Sequence, residues 1–466
     1  MPRLSRFSRS WPFGHCGRVG AGRSGAAALV VAVSAALVGG CTSPAAPSPG
    51  ANQPGARVTQ VNTGTPPGLR AQQTLDMLNS DWPIGPQSVA TLATPKKVDE
   101  VVERLDSLWW DRPYTVDDVE VRASSATLHL RASYGARQDV ELRVGDDGLV
   151  RQFEVTTHKP QVGSFADVDA VLAGTGARYS YQAAKVVDGR CEPVAGANTT
   201  ESLPLASIFK LYVLYAVASA VKAGTVSWDD PLTITHRSKA VGSSGFQDLP
   251  AGAQVTVRTA AEKMIATSDN MATDLLIDRV GTHAVEQALV DTGHHDPASM
   301  TPFPTMYELF SVGWGEPDLR EQWRTANAAG RAELLREANS RPYQPDPVRA
   351  HTPASKYGAE WYGSAEDICR VHVALQQGAT GAAAPVTEIL SAVAGIKLNR
   401  NDWPYIGAKA GGLPGDLTFS WYAVDSAGQP WVVSFQLNWP RDHGPLVAGW
   451  VIQIARQVFG MLPRQR

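Results

Sequence analysis

The sequence predicts a multidomain protein of mixed class, α+β and α/β, with a small α+β unit over residues 67–158 followed by a larger unit over 164–466. Three observations predict it. Two helical stretches, LRAQQTLDMLNS and PKKVDEVVERLDSLWW, precede three runs of alternating polarity, Ala126 to Tyr134, Asp139 to Val144 and Leu149 to Thr156. Gly135-Ala136-Arg137 and Gly145-Asp146-Asp147-Gly148 join those runs, and such glycine-bearing links close antiparallel hairpins. Further on, Leu203 to Ala223 is apolar almost all round, which predicts a helix buried at the centre of a domain.

The 466 residues leave room for two or three domains, and 43% apolar with 19% charged residues is the balance of a folded chain. A net charge of -3 with no long basic run argues against a nucleic-acid surface. The first forty residues read as a secretory signal: Arg3, Arg6, Arg9, Arg18 and Arg23 form a basic leader, Ala26 to Val38 is apolar or small, and Val38-Gly39-Gly40-Cys41 follows. A cysteine directly after small residues resembles a bacterial lipobox, which implies cleavage before Cys41, lipid on its sulfur and an envelope protein facing outside the cytoplasm. A plain signal peptide or an uncut anchor is the alternative, although the apolar run is short for a membrane span. Residues 41–66, rich in Pro, Ser, Ala, Gly and Thr, cannot bury a core and read as a flexible tether. With Cys16 in the leader and Cys41 as anchor, Cys191 and Cys369 remain as a possible disulfide.

In the small unit Trp82, Trp109 and Trp110 are expected in the core rather than around a ligand, and no acid–base set is visible. The larger unit opens with a predicted helix over Phe165 to Ala173 and a strand over Arg178 to Val187. In the buried stretch that follows, Ser207 and Lys210 stand three apart, so a helix places both on one face. Burial and the positive helix N-terminus push such a lysine toward neutrality, where it can serve a serine nucleophile as base. Ser268-Asp269-Asn270 lies between two helical stretches, about sixty residues on. Lys409-Ala410-Gly411-Gly412 lies on the strand-like run Ile406 to Gly412, before hairpin strands around Leu417 to Asp425 and Trp431 to Asn438 and an amphipathic helix from Leu446 to Phe459. The histidines His294, His295, His351 and His443 show no ligand spacing and read as solvated or capping, so no metal or cofactor is expected.

In that order and spacing, S-x-x-K, S-D-N and K-x-G resemble the motifs of the class A β-lactamase and penicillin-binding protein superfamily over about residues 164–462. The resemblance implies an antiparallel sheet flanked by helices plus an all-helical subdomain, and an acyl-enzyme mechanism. It makes Ser207 the nucleophile, Lys210 its base or part of the proton path, and Ser268 the proton shuttle to the leaving group. Asn270 would hold Lys210 and a substrate amide, and Lys409 would face the substrate's anionic end. The N–H groups of Ser207 and Gly412, with Gly411 beside them, would form the oxyanion hole. The small unit is similar to modules of the nuclear transport factor 2 and ketosteroid isomerase type. The two-unit arrangement resembles esterase-like proteins of clavulanic acid gene clusters.

Two departures stand out. Position 410 is Ala where the family usually carries a hydroxyl that helps bind a β-lactam carboxylate. The deacylating glutamate is also unsettled: Glu316-Pro317-Asp318-Leu319 has the family's letters but ends on Arg320, while Glu308 is nearer in spacing without the motif. Trp314 to Glu360 reads as an insertion of helix and Pro-rich loop that could cover the site. The expectation is an exported serine hydrolase acting on β-lactams or related amides and esters. An esterase or D-alanyl peptidase on a peptidoglycan-type substrate, and a binding or sensor lipoprotein, are its rivals. Oligomeric state is not legible.

Overall fold

The computed structural model describes residues 61–235 and 245–462; the leader, Cys41 and the tether up to residue 60 lie outside the described residues. The described chain packs as two compact units, 61–177 with 443–457, and 178–442 with 458–462.

The first unit opens with α1 (Pro66–Leu78), whose Thr65 hydroxyl accepts the Gly68 N–H and whose first positions hold prolines, a pre-set start for a helix. After α2 (Pro86–Val89) and α3 (Val98–Trp109) come β1 (Thr115–Val121), β2 (Ser125–Arg131), β3 (Arg137–Val144) and β4 (Val150–Thr157). They form one antiparallel sheet in sequential order. Alternation supplies its core face: Ala126, Leu128 and Leu130 from β2, and Val140 and Leu142 from β3, are all buried. The sheet has one strand more than the three the sequence predicts: β1, whose run TVDDVEV is an acidic edge with an irregular register between Val116 and Asp118. The tryptophans divide. Trp109 is buried, donates to Ser80 O at 2.8 Å and lies under the Arg112 guanidinium, whereas Trp82 is 79% exposed and corrects the expectation that all three are core. The helix α4 (Phe165–Ala173) starts at a capping box between Ser164 and Asp167, as its sequence predicts.

The second unit is built on a five-stranded antiparallel sheet in the order β11-β12-β13-β5-β6. Its members are β5 (Arg178–Val187), β6 (Arg190–Ala197), β11 (Tyr405–Leu413), β12 (Asp416–Val424) and β13 (Pro430–Asn438). Short pairs, β7 (Leu203–Pro204) with β10 (Tyr362–Gly363) and β8 (Pro231–Thr233) with β9 (Gln254–Thr256), lie outside it. The central helix α5 (Lys210–Lys222) buries Leu211, Tyr212, Val213, Leu214, Ala216 and Val217. It packs against α7 (Asn270–Val280), α8 (Thr282–Asp291) and α12 (Ala365–Gly378). Around it stand α6 (Val257–Ala266), α9 (Met306–Trp314), α10 (Arg320–Thr325), α11 (Ala328–Asn339) and α13 (Pro385–Ser391), and the chain's last helix is α14 (Leu446–Met461). Cys191 on β6 and Cys369 on α12 are disulfide-bonded. Among the described residues no helix is long and apolar enough to cross a membrane.

Candidate active site

The buried stretch does not run as one helix from residue 203. Leu203–Pro204 pairs as a strand, a 3₁₀ turn covers Ala206–Phe209, and the α-helix starts only at Lys210. Pro204 cannot donate within a helix, and Ala206 has φ of 43°, a left-handed conformation that costs an L-residue about 1–2 kcal/mol. The turn is clamped from both sides to hold that shape. Leu205 N–H donates to Trp361 O at 2.8 Å, and Leu205 O accepts Thr418 Oγ1 at 2.9 Å. Ser207 is left half-buried. Gly411 of β11 passes so close that a Cβ there would lie 2.4 Å from Ser207 N and 2.7 Å from Thr418 Oγ1. Only glycine lets this strand backbone approach the Ser207 N–H. Gly412 is the next, half-buried residue of the strand.

Ser268, Asn270, Lys210 and Lys409 converge as their motifs predict. Lys210 Nζ donates to Ser268 O at 2.6 Å, to Asn270 Oδ1 at 2.8 Å and lies 3.2 Å from Ser268 Oγ. Lys409 Nζ reaches the same Ser268 Oγ at 3.0 Å and Ala410 O at 2.6 Å. The serine hydroxyl therefore bridges two lysine nitrogens contributed by the central helix and by a strand about two hundred residues later. Ser268 has φ of 58°, so of the four non-glycine residues with positive φ among those described, two, Ala206 and Ser268, belong to this cluster. Strain of that kind persists where surrounding contacts over-determine it.

Burial sets the electrostatics. Lys210 is fully buried and its pKa is lowered to about 7 by desolvation, with Asp269 and Asp274 opposing the shift. Lys409 is held well below the ordinary lysine range by burial and then by the Lys210 charge. Neither lysine has an ion pair among the described residues. Asp269 caps α7, accepting Ala272 N–H at 2.9 Å and Phe246 N–H at 3.1 Å, and burial raises its carboxyl. Asp274, pushed up to about 7 by burial, accepts the Met306 and Tyr307 N–H groups at the start of α9.

The expected glutamates do not join this cluster. Glu308 is buried as the third residue of α9, where its carboxylate accepts Thr305 N–H at 2.8 Å and the Asn339 amide. Both oxygens are thus engaged in a helix cap and a link to α11. Glu316 is exposed after α9, and its carboxylate makes no hydrogen bond or ion pair among the described residues. The replaced motif position explains part of this: Arg320 turns its guanidinium onto Asp318 and lies over Tyr357, where an Asn could not.

The histidines are less solvated than the sequence suggests. His294 and His443 are buried, and His443 faces Asp111 at 3.2 Å. His294, His295 and Asp367 come within metal-ligand distance of one another. Yet His294 Nε2 donates to Tyr362 O at 3.0 Å while its Nδ1 accepts the Asp296 N–H at 3.1 Å. Asp367 is taken by Ser364, His295 and Arg370. Satisfied ring nitrogens and an arginine-paired carboxylate describe a structural junction. Trp361 and Thr418, which hold the Ser207 turn through Leu205, are not legible in the sequence. Their signals, an aromatic and a strand threonine, carry no mark of that role.

Residues 165–339 match the family model described as β-lactamase enzyme family, a span that holds Ser207, Lys210, Ser268 and Asn270 and stops short of Lys409. Residues 62–150 match the model described as ORF 12 gene product N-terminal, so the small unit's match names that module rather than the nuclear transport factor type. No curated protein matches the chain. Similar solved structures include a β-lactamase from Sphaerobacter thermophilus DSM 20745, at 21% identity and TM-score 0.45, covering 64% of this chain and 98% of that one. PBP-A is similar at 18% identity and TM-score 0.42, covering 62% and 91%. An ancestral class A β-lactamase is similar at 18% identity and TM-score 0.45, covering 64% and 100%. With the family match across its first two motifs and the third joining them in space, the larger unit resembles the class A β-lactamase and penicillin-binding protein superfamily and has a β-lactamase-like fold.

Proposed function

We propose that the chain is an exported serine hydrolase in which Ser207 is acylated by a β-lactam or a related amide or ester and is then freed by water. The observation that carries this is Ser268 Oγ lying 3.2 Å from Lys210 Nζ and 3.0 Å from Lys409 Nζ beside an accessible serine. A neutral Lys210 has two N–H donors and one lone pair. Ser268 O and Asn270 Oδ1 can only accept, so they take the two donors, and the lone pair is left for the Ser268 hydroxyl proton. Ser268 in turn accepts from Lys409. As Ser207 Oγ bonds to the substrate carbonyl carbon, the Ser268 hydroxyl turns off the Lys210 lone pair, which takes the Ser207 proton. Ser268 passes a proton to the departing nitrogen or oxygen and is refilled from Lys210. The N–H of Ser207, with that of Gly412, faces the charge developing on the carbonyl oxygen, a contribution of about 3–4 kcal/mol per donor in such sites.

Ala410 favours a second reading. It offers no hydroxyl to a substrate carboxylate, and Lys409 turns its ammonium onto Ala410 O and Ser268. Both features suit an ester or peptide better than an efficiently turned-over penicillin. With Glu308 engaged in a helix cap and Glu316 exposed, release is expected to be slower than acylation. An intact-mass time course with a penicillin, a cephalosporin and an activated ester, run beside Ser207→Ala, separates the readings. A Ser207-dependent adduct is expected. Loss of adduct within seconds as product forms means a β-lactamase, and persistence for hours means the esterase, peptidase or sensor. No adduct with any of the three overturns the assignment of Ser207.

We also propose the lipid anchor at Cys41, supported by the leader and the small residues before it. Cys41→Ala is expected to move the protein out of the membrane fraction or to leave it uncleaved. Unchanged processing with unchanged palmitate incorporation would remove the anchor from this account.

A further inference from the structure

Glu360 and Asp416 are 5% and 4% exposed, and their side chains are hydrogen-bonded to each other. Asp416 pairs with Leu413 to close the β11–β12 hairpin directly after the Lys409–Gly412 run. Its carboxylate also accepts Asn438 Nδ2 at 2.5 Å and Ser355 Oγ at 3.2 Å. Glu360 Oε1 accepts the Trp361 N–H at 2.8 Å. Two ionised carboxylates have no hydrogen to share, so this contact requires a proton. Both other donors to Asp416 fall on its Oδ1, and Glu360 Oε1 takes the Trp361 N–H, so one of the two carboxyls carries the proton and donates it to the other.

No ion pair touches either carboxyl among the described residues. Asp442 raises the Asp416 carboxyl further and pairs with His351 at 3.2 Å. Tyr362 of β10 is neutral, its phenol pushed up by burial and by these two acids. Arg178 of β5, bound to Glu201, and Arg331 of α11, stacked over Trp323, act on that phenol from outside the pair. Burial raises both carboxyls above the ordinary range, and for Glu360 the Asp416 charge is the next cause.

We propose that Glu360 and Asp416 are positioning residues for acyl transfer, one shared proton tying the strand hairpin of Lys409 to the segment that backs Ser207. The inference rests on the hydrolase reading above. Trp361, next to Glu360, stacks on Phe209 of the nucleophile turn at 3.7 Å between ring centroids, and its carbonyl holds Leu205 N–H. On the other side, Gly415 leaves no room for a Cβ, which would lie 2.6 Å from Pro353 and 2.7 Å from Trp439 O. The shared proton therefore sits where the Gly411 strand and the Ser207 turn are registered against each other. Loss of it leaves two like charges at hydrogen-bond distance in a low-dielectric interior, and the junction parts.

Glu360→Gln keeps a donor for Asp416 and an acceptor for Trp361 N–H but cannot ionise, whereas Glu360→Ala removes the tie. Two quantities are followed from neutral to alkaline pH: the thermal midpoint, and the rate of Ser207 labelling by a fluorophosphonate. The folded-state ionisation lies above the unfolded one, so the junction's stability is present at low pH and is lost as pH rises through the folded value. In the wild type both quantities are expected to fall, labelling about tenfold for one pH unit above the ionisation. Glu360→Gln is expected to retain the neutral rate and abolish both falls, and Glu360→Ala to label slowly throughout. A wild type without the alkaline fall, or a Glu360→Gln variant that keeps it, overturns the proposal. A variant that flattens the thermal profile alone overturns the positioning role. Should Glu360→Gln not fold, the infrared carbonyl band of a protonated buried carboxyl in the wild type decides: its absence at neutral pH overturns the shared proton. The thermal and infrared results stand whether or not Ser207 labels, so failure of the hydrolase reading shows as absent labelling alone.

Discussion

Lys210 illustrates how much of the chemistry is decided by one side chain's surroundings. Its ammonium is fully buried with no ion pair among the described residues, and desolvation brings its pKa to about 7. The base form then accumulates as pH rises through neutrality, so fluorophosphonate labelling of Ser207 is expected to climb up to about tenfold per unit on the acid side, before the alkaline fall expected of the Glu360–Asp416 pair. Lys210→Arg, charged at every accessible pH, is expected to lose both the labelling and its rising limb. A labelling rate flat from acid to neutral pH in the wild type would exclude Lys210 as the titrating base. Residue type and order make this part of the site legible in the sequence: Ser207, Lys210, Ser268, Asn270 and Lys409 stand out because each motif is short and chemically distinctive. Glu360 and Asp416 do not, since neither letter is unusual and only the tertiary fold brings them together. His294 misleads for the same reason, because a histidine's burial is not written in its neighbours.

Among the elements, strand boundaries and helix bodies are largely readable from alternation and caps: the predicted helix over Phe165 to Ala173 and strand over Arg178 to Val187 coincide with α4 and β5. The break before α5 is not, because the apolar run continues unchanged through Ala206 while the backbone turns left-handed there. That break sets a steric requirement on β11. Gly411→Ala would place a methyl 2.4 Å from Ser207 N, and the strand or the turn must move to admit it. The expected result is a loss of about 10²–10³ in Ser207 labelling, the scale of a displaced oxyanion donor. Destabilisation of only about 1–3 kcal/mol should accompany it, as in other overpacked sites. Wild-type labelling in that variant would show that the strand does not need to lie so near.

On the scale of the whole molecule, the Cys191–Cys369 disulfide closes a span of 178 residues between β6 and α12. Loop-closure entropy for so long a span puts its contribution at about 2–5 kcal/mol, with native strain and residual structure lowering the figure. Cys191→Ser is expected to lower the urea midpoint by a corresponding amount while leaving Ser207 labelling at low temperature intact. A midpoint equal to that of the wild type would mean the bridge adds no stability. The sheet order has a different consequence, in the time domain of biosynthesis. Strand β5 leaves the ribosome with residues 178–187 but finds its inner neighbour only when β13 emerges at residue 430. Until then the early hairpin has both edges open, of which β13 closes one, and long-range pairings of this kind close slowly. Nascent chains thus cannot assemble Lys409 against Ser268 until β11 has been made, so a product truncated before residue 405 lacks that half of the cluster regardless of how well its helices form.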